Sequence, residues 1–219
     1  CVRLAGAVAK VVTLEPPNFE ISPQKLEEAF SDKTKLVILN SPHNPTGHVV
    51  TESEIAHVAT LCQKYDALAL FDEVYETIVF DGAKHRRLSQ HPGMEDRTIN
   101  VGSAGKIFNL TGWRIGWISG PADLIAGCNA LHGYTSFSAP TMLQQGIAEA
   151  LVHEDESFYV NIAKQFGDNF QMLSKAITTM GHTVCCVDGD VGGYFLVADI
   201  SKSGMRAMDF CKWLATEKG

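Results

Sequence analysis

The sequence predicts an α/β fold: a largely parallel sheet flanked by helices, followed by part of a smaller α+β unit. Three observations carry this. Short, wholly apolar runs at 36–39 and 67–71 have the length of strands covered on both faces. Segments of helical periodicity alternate with such runs through the first two-thirds of the chain. Beyond Pro121 the helical segments follow one another, and short strand signals return only near the end.

Each element has a local reason. Ser22-Pro23 reads as an N-cap with Pro at the first helical position, and Leu26, Ala29 and Phe30 then recur at helical spacing. Leu36-Val37-Ile38-Leu39 is the first strand. Thr51 and Glu54 form a capping box, and Ile55, Val58, Ala59 and Cys62 make the buried stripe of the helix it starts. Residues 67–71 give a second strand, 98–102 a weaker third and 115–118 a fourth. Helices are expected over 121–131, 141–152 and 157–180, the last stopped by Gly181. Strands at 183–187 and 194–198 and a helix over 205–218 complete the pattern. Residues 1–155 are thus expected to form most of a larger domain, and 156–219 a connecting helix with part of a smaller one.

Composition narrows the function. The 219 residues are 45% hydrophobic and 20% charged, the balance of a globular chain and not of a disordered tail, fibrous repeat or coiled coil. No apolar run approaches the ~18 residues needed to cross a bilayer. A net charge of −7 argues against a generic nucleic-acid backbone footprint. Six scattered cysteines, with no C-x-x-C pair and with Cys185 adjacent to Cys186, read as buried free thiols in a reducing compartment. No secretory signal opens the chain, so the expectation is cytoplasmic, with mitochondrial as the alternative. The eight histidines show no zinc-binding spacing, and no metal is expected.

In open α/β sheets ligands bind at the carboxyl ends of the strands. The first strand stops at Asn40-Ser41-Pro42-His43-Asn44-Pro45-Thr46-Gly47, the second at Asp72-Glu73-Val74-Tyr75, the third at Ser103-Ala104-Gly105-Lys106. Each segment taken singly has a plainer role. Asn-Pro-Thr-Gly is turn chemistry, Asp72 is a possible helix cap, and Lys106 is an ordinary surface lysine. If the strands run parallel, however, an amide, a carboxylate, a phenol, a hydroxyl and an amine gather at one sheet edge. That convergence favours a functional site.

Together with Thr111-Gly112-Trp113-Arg114-Ile115-Gly116-Trp117, these segments resemble the successive motifs of the class I aminotransferases, fold type I of the pyridoxal-phosphate (PLP) enzymes. Ser-Ala-Gly-Lys-Ile-Phe followed by Thr-Gly-Trp-Arg-Ile-Gly-Trp is most similar to the kynurenine aminotransferase, glutamine transaminase K and methionine aminotransferase branch. The resemblance runs from about Val8 to Gly219. It implies PLP as cofactor and assigns roles by position. Lys106 would hold PLP as a Schiff base and move the proton between substrate Cα and cofactor C4′. Asp72 would keep the pyridine nitrogen protonated. Tyr75 and Asn44 would bond the cofactor's 3′ oxygen, and Ser103 and Arg114 would bind its phosphate. Trp113 and Trp117 read as core. Gly192-Gly193-Tyr194-Phe195 resembles the family's substrate-facing strand, without showing whether Tyr194 reaches the site.

The resemblance further implies transamination of an aromatic or sulfur-containing, kynurenine-like L-amino acid to its 2-oxo acid, by a homodimer. Cysteine-S-conjugate β-elimination is the alternative within the same chemistry. A truncated, non-catalytic PLP-binding or interaction fragment is the alternative outside it. The chain reads as an internal fragment, with the arginine that grips the substrate α-carboxylate expected outside it. No nucleic-acid or membrane partner is expected.

Overall fold

The computed structural model describes residues 1–80, 82–187 and 189–218. Helix α1 (Pro23–Ala29) starts as its sequence requires, with Ser22 Oγ accepting from the Lys25 amide at 3.4 Å. Strand β1 (Leu36–Asn40) follows, then α2 (Glu52–Lys64), whose Thr51–Glu54 capping box is complete in both directions. Ile55, Val58, Ala59 and Cys62 on α2 are buried against Leu26 and Phe30, and against Ala69 and Phe71 of β2 (Leu68–Asp72). One face of the sheet thereby acquires a core of thirteen buried residues.

The main sheet also contains β4 (Thr98–Ser103) and β5 (Gly116–Ser119), in the order β1-β2-β4-β5. β1, β2 and β4 run parallel, whereas β5 is antiparallel to β4. The register sets Asn40 beside Asp72 and Asp72 beside Val101, so the three carboxyl ends lie in one row. Ser103 pairs with Gly116, which brings the segment before β5 to the same edge. The Trp117 ring packs against Gly102, where an added Cβ would sit 2.2 Å from Nε1.

Coverage of β1 on both faces, expected from its apolar run, is not found. Leu36 and Ile38 are 45% and 56% exposed, while Val37 and Leu39 pack on the core. Alternate residues point to opposite faces, and α1 and α2 cover only one of them. Trp113 also departs from the core reading. It is 37% exposed, although Trp117 packs with Ile115 and Ile147.

Helices α3 (Ala104–Ile107), α4 (Ala122–Thr135), α5 (Thr141–His153) and α6 (Glu156–Thr179) follow. Asp155 caps α6, accepting from the Ser157 and Phe158 amides. α6 lies on β3 (Val79–Phe80), a two-residue strand with no clear sequence signal. β3 pairs antiparallel with β7 (Val191–Gly192), while β6 (Thr183–Val184) pairs with β8 (Ala198–Asp199).

The expected strands at 183–187 and 194–198 are therefore mostly absent. Cys186, at φ 53°, turns the chain after β6 and donates its amide to the Pro17 carbonyl. Gly193, at φ 78°, turns it before Tyr194. The last helix is α-helical only as α7 (Ala207–Trp213), and Leu214–Lys218 widen into a π-turn. Cys62, Cys185 and Cys186 are buried, but Cys1 and Cys211 are exposed. No described helix is long and apolar enough to cross a membrane.

Candidate active site

The row of strand ends delivers the site. Asn40, the polar residue that ends β1, donates its side-chain amide to the Asp72 main-chain carbonyl at 3.0 Å. Its Oδ1 accepts from the Asn44 amide at 2.7 Å, which fixes the loop bearing Asn44. Asn44 in turn donates to the Tyr75 hydroxyl at 3.4 Å. Tyr75 is 3% exposed, and burial pushes its phenol well above the ordinary range, with hydrogen bonding to Tyr194 adding to the effect.

Asp72 stands at the end of β2, and its carboxylate accepts from the Val74 amide at 3.2 Å. Burial pushes its pKa up. The Val74 amide and the charge of Lys106 pull the other way, and Glu73 adds to the rise. Lys106 is thus close enough to Asp72 for the two charges to interact. Its Nζ donates to the Tyr194 hydroxyl at 2.8 Å and lies 5.7 Å and 5.4 Å from the centres of the Tyr75 and Tyr194 rings.

Ser103 ends β4 and directly precedes α3, where its side chain makes no capping bond. Arg114 precedes β5 in left-handed backbone, φ 57°, and its Nη1 donates to the Thr111 carbonyl at 3.2 Å. The Ala104 amide bonds the Ile115 carbonyl at 3.2 Å, which holds the Arg114 segment against the start of α3. Arg114 is exposed and forms no ion pair among the described residues. Asn44, Asp72, Tyr75 and Lys106 are therefore joined by direct contacts or by charge, while Ser103 and Arg114 reach the same edge through the β4–β5 register.

Two polar clusters brace this edge. Beneath the Asn44 loop, His43 Nδ1 meets Thr46 Oγ1 at 2.7 Å and His48 Nε2 meets Glu54 at 3.0 Å. Glu54 also accepts from the Ile21 and Thr51 amides. Burial alone would raise its pKa, but these hydrogen bonds overcome it and hold the carboxyl at about 2. On the other side, Glu73 pairs with His85 at 2.9 Å and Glu76 with Arg87. Glu73, Glu76 and His85 offer ligand atoms within 4.8 Å of one another. Arg87 already neutralises Glu76, so the cluster serves as polar contacts tying the 84–87 segment to the turn that bears Tyr75.

Sequence reasoning missed Asn40 and left Tyr194 open. Asn40 had a signal, being the first polar residue after an apolar run. Tyr194 had a partial one, in the Gly192-Gly193-Tyr194-Phe195 segment, but its contact with Lys106, across 88 residues of chain, depends on the pairing of β3 with β7.

Comparison with known proteins bears on what this edge is. Rat kynurenine–oxoglutarate transaminase 3 is 35% identical, over 99% of this chain and 53% of its own length. The chain thus spans about half the length of the curated relatives it matches. Among solved structures, N-succinyldiaminopimelate aminotransferase from Mycobacterium tuberculosis superposes with a TM-score of 0.91 at 36% identity, covering 99% of this chain and 56% of that one. YbdL from Escherichia coli, described as having a methionine aminotransferase function, gives 0.91 at 31% identity, covering 98% and 55%. The family description "Aminotransferase class I and II" matches residues 1–219. The α/β sheet with its parallel strand ends is accordingly the PLP fold type I major-domain architecture, and the chain belongs to the class I and II aminotransferases.

Proposed function

We propose that this chain carries the lysine-bearing half of a PLP-dependent aminotransferase site, acting on an aromatic or sulfur-containing, kynurenine-like L-amino acid. The observation that carries the reading is the placement of Lys106 in the electrostatic reach of Asp72 and against Tyr75 and Tyr194. The substrate class is supported by the kynurenine transaminase and methionine aminotransferase relatives.

The residues present fit PLP. An amine, a carboxylate, and a phenol bonded to an amide stand together, while a hydroxyl and a guanidinium without a carboxylate partner among the described residues stand beside them. When bound, PLP supplies an aldehyde carbon that joins amines and a ring that withdraws electrons from the substrate Cα. Lys106 would hold that aldehyde carbon through Nζ. Its amine would be the base that takes the proton from the substrate Cα and passes it on. The Asp72 carboxylate would keep the proton on the ring nitrogen. Tyr75 and Asn44 would hold the 3′ oxygen, and the Ser103 hydroxyl and Arg114 guanidinium would bind the phosphate dianion.

Residues 1–155 form most of the larger domain in this reading, and 156–219 the connecting helix and part of the smaller one. The working enzyme is a homodimer, supported by the exposure of Leu131, Tyr134 and Phe137 at 66%, 94% and 84% around the end of α4. The test is an assay of the PLP-loaded protein with kynurenine, phenylalanine or methionine plus a 2-oxo acid. Amino transfer to the oxo acid supports the reading. Pyruvate and ammonia from a cysteine S-conjugate, without amino transfer, would replace it with a β-lyase. No turnover of either kind would leave a binding fragment.

A further inference from the structure

We infer that Tyr194 is a positioning residue for Lys106. Its phenol oxygen fixes the lysine amine beside Asp72 and Tyr75, and it does so through the docking of β7 on β3. The inference rests on the reading of Lys106 given above and adds a residue to it from the far end of the chain.

Lys106 forms no ion pair among the described residues, so the charge of Asp72 acts on its long, flexible side chain without a direct bond to fix it. Tyr194 supplies a neutral anchor. Its hydroxyl accepts from Nζ at 2.8 Å, and its ring and that of Tyr75 flank the ammonium at 5.4 Å and 5.7 Å. Tyr194 is itself held. Its ring meets Tyr75 edge-on at 5.2 Å, stacks on Phe166 at 5.6 Å and lies 4.7 Å from Phe195. The backbone before it is stitched on two sides, by Gly193 N to Ile78 O at 2.7 Å and by Gly192 N to Gly47 O at 2.9 Å.

Gly192 makes this docking possible. A Cβ there would sit 2.6 Å from the Ile78 carbonyl and 2.7 Å from Pro42 Cγ. The same backbone contacts that place Tyr194 thus bind it to the loop bearing Asn44 and the turn bearing Tyr75. An amine held at one point presents its lone pair to a cofactor carbon in a narrower range of geometries than a free one.

The experiment uses cofactor-free protein, in wild-type form and as Tyr194→Phe, which keeps the ring and loses only the hydroxyl. Pyridoxal is added with cyanoborohydride, and the rate of label arriving at Lys106 is read by peptide mapping. Affinity for pyridoxine 5′-phosphate, which has no aldehyde, is measured in parallel. Tyr194→Phe should label Lys106 roughly tenfold more slowly, with pyridoxine phosphate affinity unchanged. Gly192→Ala should slow the same lysine through displacement of β7. Unchanged labelling of Lys106 in Tyr194→Phe overturns the inference alone. A parallel fall in pyridoxine phosphate affinity overturns it too, by showing general damage. Wild-type label on a different lysine overturns the reading of Lys106 itself, and the inference with it.

Discussion

Asn40 and Asp72 face each other in register at the ends of β1 and β2, and the Asn40 amide donates to the Asp72 carbonyl at 3.0 Å. The same side chain accepts from the Asn44 amide, so one residue joins the strand that bears the carboxylate to the loop that bears the amide. Asn40→Ala should cost about 1–2 kcal/mol of stability from unmade hydrogen bonds. It should also weaken PLP binding by freeing Asn44. Denaturant unfolding and a PLP titration check the two effects.

Asp72→Asn keeps the shape of the side chain and removes its charge. In the PLP-loaded full-length protein turnover should fall on the order of 10² to 10⁴-fold, with PLP still bound. Near-normal turnover would remove Asp72 from the mechanism.

Arg114→Gln removes a cation that no described carboxylate neutralises. Loss of a charge-assisted contact worth about 1.5–3 kcal/mol should raise the PLP dissociation constant roughly 10- to 100-fold. Affinity for pyridoxal, which lacks the phosphate, should stay the same. Equal losses for both ligands would show that Arg114 serves the fold and not the phosphate.

The site was legible in the sequence because its residues sit where apolar strands stop, and parallel strands bring such stops together without further information. Asn44, Asp72, Tyr75, Ser103 and Lys106 lie in that row for this reason. Arg114 follows from the antiparallel return of β5. Long-range pairing of very short strands carries no such signature. β3 and β7 have two residues each, too few for a period, so the contact of Tyr194 with Lys106 was hidden. The exposure of Leu36 and Ile38 was hidden likewise, since an apolar run records what a strand can pack against and not which of its faces the helices cover.

Glu54 gives a pH dependence to the support beneath the Asn44 loop. Its folded-state carboxyl is held at about 2, below the ordinary 4.5. Its contribution is therefore present above pH ~4.5 and is lost as the pH falls through about 2. Glu54→Gln should lower stability at neutral pH by about 1–3 kcal/mol, because the Ile21 and Thr51 amides lose a charged acceptor. It should also flatten the acid limb. Urea unfolding at a series of pH values between 2 and 7 measures both, and an acid limb identical to wild type would contradict the assignment.

The most direct test of the account is where PLP attaches. The PLP-loaded protein is reduced with borohydride, digested and mapped by mass spectrometry. The account predicts the pyridoxyl mass on Lys106 and its loss in Lys106→Ala. The same mass on any other lysine, with Lys106 unmodified, would contradict it.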